Sequence, residues 1–177
     1  MCKKQKGFSV TSIEKQFEIL SQYNLWMNNN IFNICDSLSD DVRKKDMGAF
    51  FGSIHKTLDH ILYGDKAWLE RLRDNTYIPR DINKTLYLNW VDLKKERFII
   101  DNEINDWVKT LSDKELNKIH TYTSNVDGKQ RSVPYWTLVH HIFHHQTHHR
   151  GQLTTLLSQL GIDFGSTDIP FMPGLSE

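Results

Sequence analysis

The sequence is poor in cysteine, carries no excess of either charge and contains no long apolar run, and each absence removes a class of function. Cys2 and Cys35 are its only cysteines. Two are too few for a disulfide framework and suit a reducing compartment. Lys and Arg together number 22, as do Asp and Glu, for a formal charge of zero. With a pI of about 7.1, the chain offers no electrostatic footprint for a phosphate backbone or an anionic membrane, so nucleic acid is not an expected partner. No run of about 18 apolar residues occurs, and the mean hydropathy is -0.54. A membrane span is therefore excluded and a soluble protein expected. Met1 to Lys6 is basic, but Gly7 to Phe17 is polar and charged where a secretory leader would be apolar. The cytoplasm is the expected location. Internal repeats and low-complexity segments are also lacking. What is present, in 177 residues, is a 38% hydrophobic share with five Trp and nine Phe, enough for one core in a single domain over residues 1–177.

Apolar spacing predicts four helices. From Ser12 to Leu38, Ile13, Phe17, Leu20, Leu25, Met27, Ile31, Ile34 and Leu38 recur mostly at helical intervals without Pro or Gly. Ser39, Asp40, Asp41 and Gly48 punctuate a polar connection. Ser53 to Arg73 carries Ile54, Leu58, Ile61, Leu62, Trp68, Leu69 and Leu72 on one side, and Pro79 and Asp81 end the following link. Thr85 to Leu111 repeats the pattern through Leu86, Trp90, Leu93, Phe98, Ile104, Trp107, Val108 and Leu111. Thr121, Tyr122 and Thr123 then favour strand, Asp127-Gly128 is a hairpin-turn signal and Pro134 marks a helix start. The fourth helix runs from Tyr135 to Leu160 and stops at Gly161, leaving an irregular tail from Ile162 to Glu177. An all-α, antiparallel four-helix bundle, with a short hairpin or extended crossover between the third and fourth helices, buries four such stripes most simply.

Nine histidines stand out, seven of them between His120 and His149. Two stripes at i, i+4, i+8 run along the fourth helix: His140, His144, His148, and His141, His145, His149. At about 100° per residue, His149 lies roughly 35° and His145 roughly 75° from the centre of the apolar face, whereas His144 and His148 lie roughly 135° to 175° away. The second stripe points inward; His144 and His148 read as a solvated face, and His140 and His141 as rim packing. Two inward histidines four residues apart can place two imidazole nitrogens on one metal ion. A neighbouring helix must supply a third. His55, His60 and His120 are the candidates, and spacing alone does not choose among them. His60 shares its side with the small residues Gly64 and Ala67, which leave room beside it, while His55 lies nearer the charged flank of Lys56 and Asp59.

The stretches Ser53-Ile-His-Lys-Thr-Leu-Asp-His60-Ile-Leu-Tyr-Gly-Asp-Lys-Ala-Trp68-Leu-Glu-Arg-Leu and Leu138-Val-His-His-Ile-Phe-His-His145-Gln-Thr-His-His149-Arg-Gly-Gln152 resemble the two signature helices of the DinB-like, damage-inducible family. The resemblance extends to Tyr23-Asn-Leu-Trp26 and to Gly161-Ile-Asp-Phe-Gly-Ser-Thr-Asp168. It implies a four-helix bundle, commonly a homodimer, with one divalent metal ion held by a histidine of the second helix and a pair from the fourth. Those ligands fall on His60, His145 and His149. The family also includes thiol-dependent transferases and isomerases that use a metal to activate a low-molecular-weight thiol, so a small-molecule substrate and such a thiol cofactor are implied.

Three neutral imidazoles with an open fourth position describe a catalytic rather than a structural site, since a closed site would normally recruit cysteines, and Cys2 and Cys35 are not placed to do so. Such a site can lower the pKa of a bound water or bind a thiol as thiolate. Imidazoles suit several metals; zinc is the first expectation, nickel or iron the next. Asp65, His141, Gln152 and Asp168 are candidates to orient the ligands, and Trp26 and Trp68 to wall the pocket. Arg71 and Arg150 suit a substrate carboxylate or a surface ion pair. Three readings follow: a metal-dependent enzyme, either a thiol S-transferase or a hydrolase; a non-catalytic metal-binding stress-response module; and a bundle whose histidines merely pack. An enzyme requires a pocket of about 300 Å³ or more beside the ion, whereas packing alone requires the ring nitrogens to be paired with side chains.

Overall fold

The Ser12 hydroxyl accepts the Lys15 N–H at 3.3 Å and so caps the first helix, α1, Ile13–Asp36. A computed structural model describes residues 12–81 and 84–175 of the chain; Cys2, the basic start and the final two residues lie outside the described residues. α1 buries Phe17, Met27, Ile31 and Phe32, each contributing about 1.5–3 kcal/mol of transfer free energy. The polar connection contains a short helix, α2, Asp40–Lys44, before Ser53 caps α3, Ile54–Leu69. The last turn of α3 widens into a π-helical segment, Glu70–Asp74, closed by Asn75 in the left-handed conformation at φ 52°.

The third long helix, α4, is Trp90–Val108 and begins later than the Thr85 expected from periodicity. The Leu86 and Tyr87 N–H groups donate to the buried Asp59 carboxylate, both at 2.8 Å, and a helix cannot pass through residues so held. It starts only where the Asn89 side chain accepts the Val91 and Asp92 N–H groups. A further short helix, α5, Asp113–Leu116, leads into the expected hairpin, β1 (Ile119–Thr123) antiparallel to β2 (Gln130–Pro134). Its connection, residues 124–129, is longer than the two-residue turn that Asp127-Gly128 suggests, although Gly128 does take φ 68°. The fourth long helix, α6, is Tyr135–Gln159. Gly161, at φ 70°, ends it while the Ile162 N–H reaches back to the Leu157 carbonyl at 3.0 Å. The tail carries one 3₁₀ turn, Ile169–Phe171, and is tied to α1 where the Tyr23 hydroxyl donates to the Thr167 carbonyl at 2.5 Å.

The fold is therefore mostly helical with a small two-stranded sheet, not purely α. α1 packs on α4 and α6, and α3 packs on α4 and α6. No helix of the described residues is long and apolar enough to cross a membrane.

A buried polar layer cuts across this core, with members from all four long helices. Arg97, 1% exposed, pairs with Asp65 at 2.6 Å and Asp101 at 2.8 Å. Asn28 donates to Asp101 at 2.9 Å and to Gln146 at 3.1 Å, and Gln146 donates to Asp65 at 2.5 Å. Arg150 completes the layer by donating to Asn24 at 2.7 Å and to Gln146 at 2.9 Å. Two guanidiniums and two carboxylates balance in charge, the condition under which buried ions are tolerated, while Asp65 Oδ1 and Arg97 Nε meet no hydrogen-bond partner among the described residues. Arg150 is consequently an interior residue and not the surface or substrate-facing arginine that its polarity suggests.

Candidate metal centre

α3 carries His60 to the inner face of α6, where His145 and His149 stand one turn apart. His145 Nε2 lies 3.2 Å from His60 Nε2 and 3.2 Å from His149 Nε2. An imidazole nitrogen has one in-plane lone pair or one proton, so a single Nε2 cannot make two good hydrogen bonds to two others. A cation accepts all three lone pairs at once. At zinc–nitrogen distances of about 2.0–2.1 Å, tetrahedral ligand nitrogens stand about 3.3 Å apart, close to the spacing found. The donor set and its geometry fit a divalent ion.

The surroundings favour neutral rings. Burial, reinforced by the neighbouring histidines, pushes His145 down to about 3 and His60 down to about 4. Burial also lowers His149. Neutral imidazole is the form a metal requires. The His149 Nδ1–H donates to Gln152 Oε1 at 2.9 Å, which turns the Nε2 lone pair towards the other two rings. The Nδ1 atoms of His60 and His145 are buried and meet no protein partner among the described residues, contrary to what packing alone requires.

A family model described as the DinB family matches residues 1–175. The chain belongs to the DinB family. It is 26% identical over 155 residues to Protein DinB of Bacillus subtilis (strain 168), an alignment covering 84% of this chain and 88% of that protein. Its fold is similar to the crystal structure of a DinB-like protein from Bacillus cereus ATCC 10987, with a TM-score of 0.59 at 17% identity, covering 80% of this chain and 90% of that one. A family protein with three histidine nitrogens so gathered is compatible with metal binding.

Around this DinB centre the other candidates distribute unevenly. Gln152 reaches a ligand ring directly. Asp65 does not: its carboxylate serves Arg97 and Gln146, and burial raises it to about 6. His141 is exposed and meets Trp68 edge-on at 5.0 Å, with His145 5.8 Å away. Trp68 also packs edge-on against Tyr122 of the hairpin, at 5.3 Å. Trp26 is half-buried beside Tyr23 at 6.0 Å, and Asp168 is exposed at the start of the 3₁₀ turn. Of the alternative third ligands, His120 lies on β1 against Tyr135. His55 donates from Nε2 to the Tyr87 carbonyl at 2.7 Å and is buried beside Asp59. His144 and His148 face solvent, as the helical wheel requires. Cys35 is fully buried in the apolar core.

Phe51 escaped the sequence reading. It stacks on His60 with ring centres 3.9 Å apart and meets His149 edge-on at 5.4 Å, covering two of the three rings from the connection before α3. A phenylalanine in a loop carries no periodicity, so only the neighbouring Gly48 and Gly52 hinted at the fold-back that delivers it. Beside it a cleft of about 450 Å³ is lined by Phe51, Lys56, Asp59, His60 and Tyr63.

Proposed function

We propose that His60, His145 and His149 hold one divalent ion, zinc in preference to nickel or iron, and that the protein is a metal-dependent enzyme of the thiol S-transferase type acting on a small molecule. The observation that carries this reading is the convergence of three neutral imidazoles, one of which, His60, lines a cleft of about 450 Å³. That volume suits a small molecule, whereas a non-catalytic metal store has no need of it. When bound, the ion supplies Lewis acidity that makes a thiol or a water acidic enough to act as a nucleophile at neutral pH. The chain's own residues do the rest. Gln152 holds the His149 ring in its tautomer, Phe51 shields His60 and His149 from water, and Tyr63 and Lys56 bound the space where substrate would lie.

A hydrolase would use the same centre with water in place of the thiol, and the test separates the two. We further take the four long helices to form the antiparallel bundle typical of this architecture, in one domain that self-associates as a homodimer. Metal content should be measured by plasma mass spectrometry on untagged protein, with His60→Ala and His149→Ala beside the wild type. About one ion per chain, lost in both variants, is expected. The loaded protein should then be screened for metal-dependent consumption of a low-molecular-weight thiol with an electrophile, and for ester and amide hydrolysis. Metal that survives both substitutions would overturn the ligand assignment; loaded protein inert to every substrate would favour a non-catalytic, stress-response role.

A further inference from the structure

A second cleft, of about 440 Å³, lies between the π-helical end of α3 and the β1–β2 hairpin, apart from the residues that line the metal centre. Its principal wall residues are Arg71, Asn75, Tyr77, His120, Tyr122 and Asn125. None of the described residues lining it is a carboxylate, and its one permanent charge is the Arg71 guanidinium.

Arg71 is held in an unusual way. Its guanidinium carbon lies 3.3 Å from the centre of the Tyr77 ring and 4.9 Å from that of Trp68, so aromatic rings contact it on two sides. One N–H is spent on the Ala67 carbonyl at 3.2 Å. The acids nearest in sequence are taken by other cations: Glu70 by Arg80 at 2.8 Å, and Asp74 by Arg73 at 2.6 Å. No carboxylate of the described residues forms an ion pair with Arg71, a half-buried cation whose remaining donors are in the plane of the fork. A single turn of π-helix sets this residue apart from the α-helical register of α3, a distortion common at functional sites. The hairpin supplies the opposite wall through His120 and Tyr122.

We propose that this cleft binds a small aromatic carboxylate, its carboxylate forked onto Arg71 and its ring against Tyr77 and Tyr122. An in-plane guanidinium edge matches a carboxylate, and the tyrosines supply the apolar faces that a planar ring requires. Asn75 also lines the cleft, and the Asn125 amide donates to the Tyr77 hydroxyl and so fixes that ring in the wall. This inference does not depend on the metal centre.

Benzoate is the probe, titrated into the full-length, metal-loaded protein and followed by ¹H–¹⁵N spectra, with benzyl alcohol as the neutral analogue. Saturable shifts are expected at Asn75, Tyr77 and residues 120–123, absent with benzyl alcohol. Arg71→Gln should weaken binding by about tenfold or more, since a hydrogen-bonded charge is lost, and Arg71→Lys should recover only part of it. Should Arg71→Gln fail to fold, Tyr122→Ala leaves the guanidinium in place and should still reduce affinity. Metal-free His60→Ala should bind benzoate as the wild type does. Shifts that map instead to Phe51 and Lys56 and vanish in His60→Ala, or no saturable shifts at all, would overturn the assignment.

Discussion

A Cβ atom on Gly64 would stand 2.6 Å from Cε1 of His145. The space that α3 leaves by lacking a side chain there is the space the His145 ring occupies, so a helix-weakening residue in mid-helix is retained by the geometry of the neighbouring helix. Glycine costs roughly 1 kcal/mol relative to alanine at such a position. Gly64→Ala should therefore keep or improve helicity by circular dichroism while displacing His145 and lowering the metal content of the purified protein. Full metal loading in this variant would mean that His145 is not a ligand.

The Gln152 side chain orients His149 without lying among the three converging nitrogens. Removal of such a partner typically costs 10–100-fold in metal affinity. Gln152→Ala should show a loss of about that size in competition with a chromophoric chelator, and Gln152→Glu, which keeps the acceptor, should lose less.

The depressed histidines make the metal-free protein acid-sensitive. His145 and His60 titrate at about 3 and about 4 when folded against an ordinary value of 6.5, so between those limits the unfolded chain binds more protons than the folded one. The stability they contribute is present above pH 6.5 and drains away as pH falls towards the folded values. Thermal midpoints of chelator-treated protein should fall as pH is lowered from 7.5, and less steeply in His145→Ala.

Arg97 anchors two carboxylates in the core, and deletion of one partner of a buried ionic network usually costs about 3–5 kcal/mol. Arg97→Met should lower the urea-derived stability by about that amount because it leaves Asp65 and Asp101 without their cation. A change below about 1 kcal/mol would show that the layer relaxes or takes up protons instead.

Burial pushes the Cys35 thiol up to about 12. In a Cys2→Ser background Cys35 should not react with a disulfide reagent at pH 8 until denaturant is added. Rapid labelling of native protein would place the thiol at a surface.

Much of the centre was legible in one dimension because helical periodicity converts spacing into direction. His145 and His149 fall on the apolar side of α6 and His144 and His148 on the other, and the structure has His149 buried and His144 and His148 exposed. The hairpin was legible from Thr121 to Thr123 and from Gly128, since strand preference and positive φ are local properties. Asp65 and Arg150 misled for a single reason: polarity in a sequence suggests a surface or a site, whereas here each is bonded to residues far away in the chain. The late start of α4 misled in the same way, since the carboxylate that holds Leu86 and Tyr87 belongs to Asp59 on another helix.

The sequence by itself determined the long helical elements, the inward histidine pair and the zero net charge, because these depend on residue type and short-range spacing. Spacing left His55, His60 and His120 open and the family resemblance pointed to His60; the tertiary structure brings His60 to that pair, covers it with Phe51 and fills the space at Gly64 with the His145 ring. It also assembled the Asp65–Arg97–Asp101 layer from separate helices. Contacts between residues remote in the chain depend on how helices are placed against one another, and helix placement is set by packing of the whole core rather than by any local pattern.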